Sequence, residues 1–192
     1  MTPATSPENI IGRPDEPAPL RAPEARHHLM VLGAGESEVI CAAGGLIYDW
    51  SQRGWDVTVH LPAPCENRSF RILGAKATPL TVPDCLCSDP RRPNAIIVSS
   101  LLCRQNWPVR HYFMEATLRN YAATAILGND WPDGLGNEAG EVKHRLSPAA
   151  RAFKRQAMIA AELVAAPLES VETFRGSVQR FRSHTSGDVT PA

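Results

Sequence analysis

The stretch from Leu29 to Leu61, LMVLGAGESEVICAAGGLIYDWSQRGWDVTVHL, decides the fold. Leu29-Met30-Val31-Leu32 is a short apolar run that stops at Gly33-Ala34-Gly35, as a buried strand entering a tight turn does. Val39, Ile40, Ala43, Leu46, Ile47 and Trp50 then recur at helical spacing, and Gly54 is placed to end that helix. Val57-Thr58-Val59-His60-Leu61 reads as a second strand. Strand, helix and strand make a βαβ unit, whose crossover is right-handed and whose strands lie in a parallel sheet with helices on both faces. The fold class predicted is α/β, a Rossmann-like parallel sheet.

Working outward, Pro79 to Val82 and the β-branched run Ala95 to Ser99 read as further strands, and Tyr112 to Ala123 as a helix. Ser147-Pro148 is a helix start, because the hydroxyl can cap an exposed amide and proline is tolerated at the first helical position. Phe153, Ala157, Ala160, Ala161 and Val164 give that helix an apolar face. After Pro167, a stripe of Val171, Phe174, Val178 and Phe181 predicts a last helix, with Glu169 and Glu172 near its start and Arg180 and Arg182 near its end as the helix dipole prefers. The expected core includes Leu32, Val39, Leu46, Ile47, Val57, Ile97 and Phe153. Residues 1–26 contain six prolines and no apolar period and read as a flexible arm, 27–182 as one domain, and 183–192 as a polar tail.

At 192 residues, with 43% hydrophobic and 21% charged side chains, one folded domain is expected. Twenty basic residues balance twenty acidic ones, so the basic excess that phosphate-dominated nucleic-acid binding needs is missing. No run approaches the length of a membrane span and no apolar signal core is present, so the expected location is the cytoplasm. Cys41, Cys65, Cys85, Cys87 and Cys103 are odd in number, and Cys85-Leu86-Cys87 has no second pair to complete a four-sulfur site. They read as scattered thiols in a reducing cytosol.

In an open parallel sheet ligands bind beyond the carboxyl ends of the strands, so the chemistry is sought in Gly33-Ala34-Gly35-Glu36-Ser37-Glu38. A dinucleotide fingerprint is excluded, because Glu38 stands where the third glycine belongs and would turn a carboxylate toward the pyrophosphate. His27 and His28 lie at the other end of the first strand, His60 inside the second strand and His144 in a polar loop. Ser37 and Ser147 have no nucleophile elbow around them.

The stretch Val31 to Leu61 resembles the opening of the PIG-L/LmbE family of zinc-dependent N-deacetylases. There a strand leads into a Pro-His-Pro-Asp-Asp-Glu motif, a glycine-rich helix and a second strand, and Ala42-Ala43-Gly44-Gly45-Leu46-Ile47 and Arg53-Gly54-Trp55-Asp56-Val57-Thr58-Val59 match that pattern. Ser147 to Ala157, SPAARAFKRQA, looks like the family's late helix, and Val82-Pro83-Asp84 is a weaker match. The likeness covers about residues 28–166 and implies an LmbE-like deacetylase fold. It also implies a zinc ion on one His and one Asp of the first loop and a His of a later loop, with another Asp activating the attacking water.

Carried over position by position, the first ligand falls on Ala34, the general base on Glu36, the second ligand on Ser37 and the motif's last acid on Glu38, which alone is unchanged. The family's later His-Pro-Asp-His aligns with Trp107-Pro108-Val109-Arg110, which puts Arg110 on the third ligand and Trp107 on the His that stabilises the transition state; a one-residue slip offers His111. Ala34 has no donor atom, Ser37 is a weak neutral ligand and a permanently charged Arg110 repels a dication. The expectation is therefore no metal and no cofactor, with Arg110 pairing with Glu36 or Glu38 across the cavity. Asp84, Arg68 and Arg71 match positions near the family's substrate rim, joining Ser37, Trp107 and His111 as substrate-binding candidates.

The leading reading is a pseudo-deacetylase that binds a sugar-like or amino-containing small molecule, or a protein partner such as an intact family member; a homo-oligomer is compatible with it. Two alternatives differ in chemistry. In one, Glu36 or Glu38 works as acid or base beside Arg110 as an anion clamp, without metal. In the other, zinc N-deacetylation survives on relocated ligands such as His111 and Glu38.

Overall fold

A computed structural model of the protein describes residues 26–63, 67–80, 92–128, 131–132, 135, 139–163, 166–176 and 189–190. Asp84, Cys65, Cys85, Cys87, Val164, Val178, Phe181, Arg180 and Arg182 lie outside the described residues, as do most of the proposed arm and tail.

The decisive stretch folds as its periodicity predicts: strand β1 (His28–Leu32), helix α1 (Glu36–Gln52) and strand β2 (Asp56–Leu61), with β1 and β2 parallel. A short helix α2 (Arg68–Ile72) leads to β3 (Lys76–Pro79), which pairs parallel with β2. Strand β4 (Ala95–Ser99) returns to the other side of β1, followed by α3 (Ser100–Gln105), α4 (Trp107–Leu118) and β5 (Ala123–Leu127). Then come β6 (Gly140–Arg145), α5 (Pro148–Ala160), β7 (Val171–Gly176) and β8 (Val189–Thr190). The strand order is β3-β2-β1-β4-β5-β7-β6-β8.

Strands β3 to β5 form the expected parallel sheet, but β7 joins β5 antiparallel and β6 and β8 continue antiparallel beyond it, so the sheet is mixed. The last helix expected after Pro167 is instead β7. Glu172, Phe174 and Gly176 alternate inward along it with a period of two, whereas the helical stripe is read from Val171, Phe174, Val178 and Phe181, of which only the first two are described. The helix expected at Tyr112 to Ala123 starts earlier, at Trp107, with Asn106 accepting from the Val109 amide as its cap, and it stops before Ala123 opens β5. In place of the strand expected at Pro79 to Val82, a strand runs over Lys76–Pro79, and Thr81 and Val82 lie outside the described residues. His144, expected in a polar loop, lies inside β6 and is 1% exposed.

Alternation along β1 sends Leu29 and Val31 to one core and Met30 and Leu32 to the other. The first core holds α1, α2 and α5; the second holds α3 and α4. Leu32, Val39, Leu46, Ile47, Val57 and Ile97 are all buried, but Phe153 is 43% exposed and stacks on Tyr48 with ring centroids 4.5 Å apart. The inward face of α5 is Ala150, Lys154, Ala157 and Met158, one residue round from the predicted stripe. A lysine takes the core position that the apolar pattern had given to Phe153.

Lys154 is buried because α1 needs it. The amides of Gly45 and Leu46, whose regular helical acceptors are the carbonyls of Cys41 and Ala42, donate to Glu172 Oε1 and Oε2 at 2.7 and 2.8 Å. Lys154 Nζ donates to Cys41 O at 2.6 Å and to Glu172 Oε1 at 2.7 Å. The ion pair thus enters the middle of α1. Gly45 makes room for Leu146, whose Cγ would lie 2.3 Å from a Cβ there.

Candidate functional site

The loop after β1 sits at the carboxyl ends of the parallel strands. Its first amide, Gly33 N, donates to His60 O at 3.0 Å and ties the loop to the end of β2. A side chain on Gly33 would collide with Val39, where its Cβ would stand 2.2 Å from Cγ2, so only glycine lets α1 begin this close to the strand. Gly35 is the cap residue of α1 and supplies no side chain to the helix amides.

Glu36 and Glu38, both in the first turn of α1, are partly buried, and Ser37 between them is exposed. Ser69, buried in α2, donates its hydroxyl to Glu36 Oε1. Glu38 is held on both oxygens: Oε2 accepts from the Ala34 amide at 3.0 Å and Oε1 from Ser99 Oγ at 2.7 Å. Ser99 Oγ in turn accepts from Leu102 N at 3.2 Å, capping α3. Glu38 therefore joins the end of β1 to the end of β4.

Helix α3 leaves β4 at this same end, and α4 runs back toward the start of β5, so Arg110 in the first turn of α4 lies at the end of the sheet that carries Glu36 and Glu38. It is partly buried, near enough to Cys103 that its charge opposes the burial that pushes the Cys103 thiol up. Trp107 at the start of α4 is 66% exposed and meets the exposed His111 edge-on, 5.0 Å between centroids. Arg68 and Arg71 project from α2 as exposed side chains.

Residue reasoning missed the two serines that engage the acids. Ser99 carried a signal, since a serine between a β-branched run and a helix is a natural cap. Ser69 carried none, because its partner lies 33 positions away.

No protein-family model matches the chain, and no curated protein matches it. Solved structures do. A deacetylase triple mutant involved in the teicoplanin biosynthetic pathway superposes with a TM-score of 0.53 at 13% identity, over 86% of this chain and 98% of that one. The chain has the LmbE-like deacetylase fold. A deacetylase–teicoplanin complex gives a TM-score of 0.53 at 11% identity, over 78% of this chain and 97% of the other. The antimicrobial reagent A40926 pseudoaglycone deacetylase gives 0.50 at 13% identity, over 79% and 97%.

The zinc that the family resemblance implies does not fit the residues present. Ala34 packs against the second core and has no donor atom, Glu38 has both oxygens engaged, and Arg110 brings a fixed positive charge. Among the described residues, no group of three or more His, Cys, Asp or Glu side chains could hold a metal ion.

Proposed function

We propose that this protein keeps the deacetylase scaffold without metal hydrolysis and uses the carboxyl end of its sheet to bind a sugar-like or amino-containing small molecule. The observation that carries this reading is the engagement of Glu38. The only acid carried over unchanged from the family motif spends its two oxygens on Ser99 and the Ala34 amide, which makes it a brace between strands. Arg110 then stands in for the missing dication, a fixed positive charge where a metal would have been. The exposed Trp107 and His111 offer the ligand a ring face at the start of α4.

The test is metal content and turnover on one preparation. Protein purified without a metal-binding tag and dialysed is expected to hold far less than one zinc per chain and to release no acetate from N-acetylglucosamine-type substrates. Stoichiometric zinc with chelator-sensitive acetate release would overturn the proposal and restore a reading with relocated ligands. Copurification with a catalytically intact relative would move the role of this surface from a small molecule to a protein partner.

A further inference from the structure

A groove of about 1000 Å³ lies at the opposite end of the sheet, across the amino ends of β1, β2 and β3. Its floor is set by strand register: His28 faces Asp56 across β1 and β2, and Thr58 faces Lys76 across β2 and β3. Alternate residues of a strand share a face, so these four polar side chains line one side of strands that are otherwise largely apolar. His28 Nε2 lies 3.1 Å from Thr58 Oγ1, which fixes both groups in the floor.

Arg26, just before β1, and Arg92, just before β4, stand at the groove's edges. The Arg92 guanidinium lies over the Tyr121 ring, 5.1 Å from its centroid, which holds the side chain in place while leaving its N–H edge able to donate. Among the described residues lining the groove, Arg26, Lys76 and Arg92 face a single carboxylate, Asp56, which Arg26 approaches to 3.6 Å. Lys76 has no ion-pair partner among the described residues. In a chain whose charges cancel overall, positive charge collects here.

We propose that this groove is a second binding site, separate from the carboxyl-end site, for a small molecule carrying a phosphate or pyrophosphate group. A lysine ammonium and an arginine fork on opposite sides of a polar floor are the donors that such an oxyanion takes, and the floor's hydroxyl and imidazole supply further hydrogen-bonding groups beside them. The cations are exposed, so binding falls as salt rises.

The probe is inorganic pyrophosphate, titrated into the full chain at low ionic strength by calorimetry. Saturable binding is expected, weakened roughly tenfold or more by Lys76→Glu or Arg92→Glu and left unchanged by Arg151→Glu, which reverses an exposed charge on α5 away from the groove. Both groove positions are exposed, and unchanged thermal melting of the variants separates lost binding from lost folding. Absence of saturable binding up to about 10 mM pyrophosphate, or equal weakening by Arg151→Glu and by the groove variants, would overturn the proposal; the second result would mark the interaction as diffuse charge.

Discussion

Asp49 has three hydrogen bonds on a carboxylate that is almost fully buried. Ser147 Oγ donates to Oδ1 at 2.6 Å, Ser147 N to Oδ2 at 3.2 Å, and His144 Nε2 lies 2.9 Å from Oδ2; because a carboxylate only accepts, that nitrogen carries the hydrogen. Burial pushes the Asp49 carboxyl up, but the bonds from His144 and Ser147 outweigh it and hold the group below its ordinary value of 3.8. The unfolded chain therefore binds the proton first as pH falls. The stability Asp49 contributes is complete above its ordinary value and is lost as pH drops through the lowered folded value. Denaturant titrations between about pH 2 and 5 should show stability falling with acid, with a shallower slope in Asp49→Asn; an unchanged slope would remove Asp49 from the acid response. The sequence marked Ser147 as a helix cap, and its hydroxyl does accept from Ala150 N at 3.0 Å. It hid His144, because the partner that makes a histidine tolerable inside a strand stands 95 positions away.

At the level of elements, the instructive feature is the middle of α1, where a lysine and a glutamate from two later elements hydrogen-bond to its main chain. A buried ion pair is commonly replaceable by apolar side chains at little cost, because the desolvation of two charges offsets their attraction. Here that exchange should fail. Replacing both charges leaves the Gly45 and Leu46 amides and the Cys41 carbonyl buried without the groups that now reach them. Lys154→Met and Glu172→Leu are each expected to cost about 3–5 kcal/mol, and the double variant is expected to recover little of that in chemical denaturation. Recovery to near the parent stability would show that α1 closes on its own. The same pair explains why two elements were misread. Apolar periodicity finds faces only where core positions are apolar, and Glu172 in β7 and Lys154 in α5 are core positions held by charge. Strands β1, β2 and β4 and helix α1, whose inward positions are mostly apolar, were legible for the converse reason.

For the molecule as a whole, the glycine turn after β1 marked from sequence the carboxyl end of the sheet, where Glu36 and Glu38 stand. What the sequence could not supply is how the end is closed: Ser69 and Ser99 arrive from α2 and β4 and occupy Glu36 and Glu38. On the proposed reading, this bears on whether the site differs from a zinc site in its ligands alone or also in the packing around them. If ligands alone are missing, Ala34→His, Ser37→Asp and Arg110→His together should restore three donors around an open position, and zinc should bind. The packing argues for the second case. The Ala34 side chain lies against the second core, so an imidazole there must displace packed neighbours, and Glu38 holds the Ala34 amide and the end of β4 together while the loop is asked to move. The triple variant is therefore expected to remain well below one zinc per chain by mass spectrometry after dialysis, and to melt at lower temperature than the parent. Adding Ser99→Ala, which frees one oxygen of Glu38, should raise zinc uptake only if that brace is what keeps the loop from rearranging. Stoichiometric zinc in the triple variant alone would mean that the metal-binding geometry of the loop has survived the loss of its ligands, and that the change separating this chain from a hydrolase is confined to three side chains.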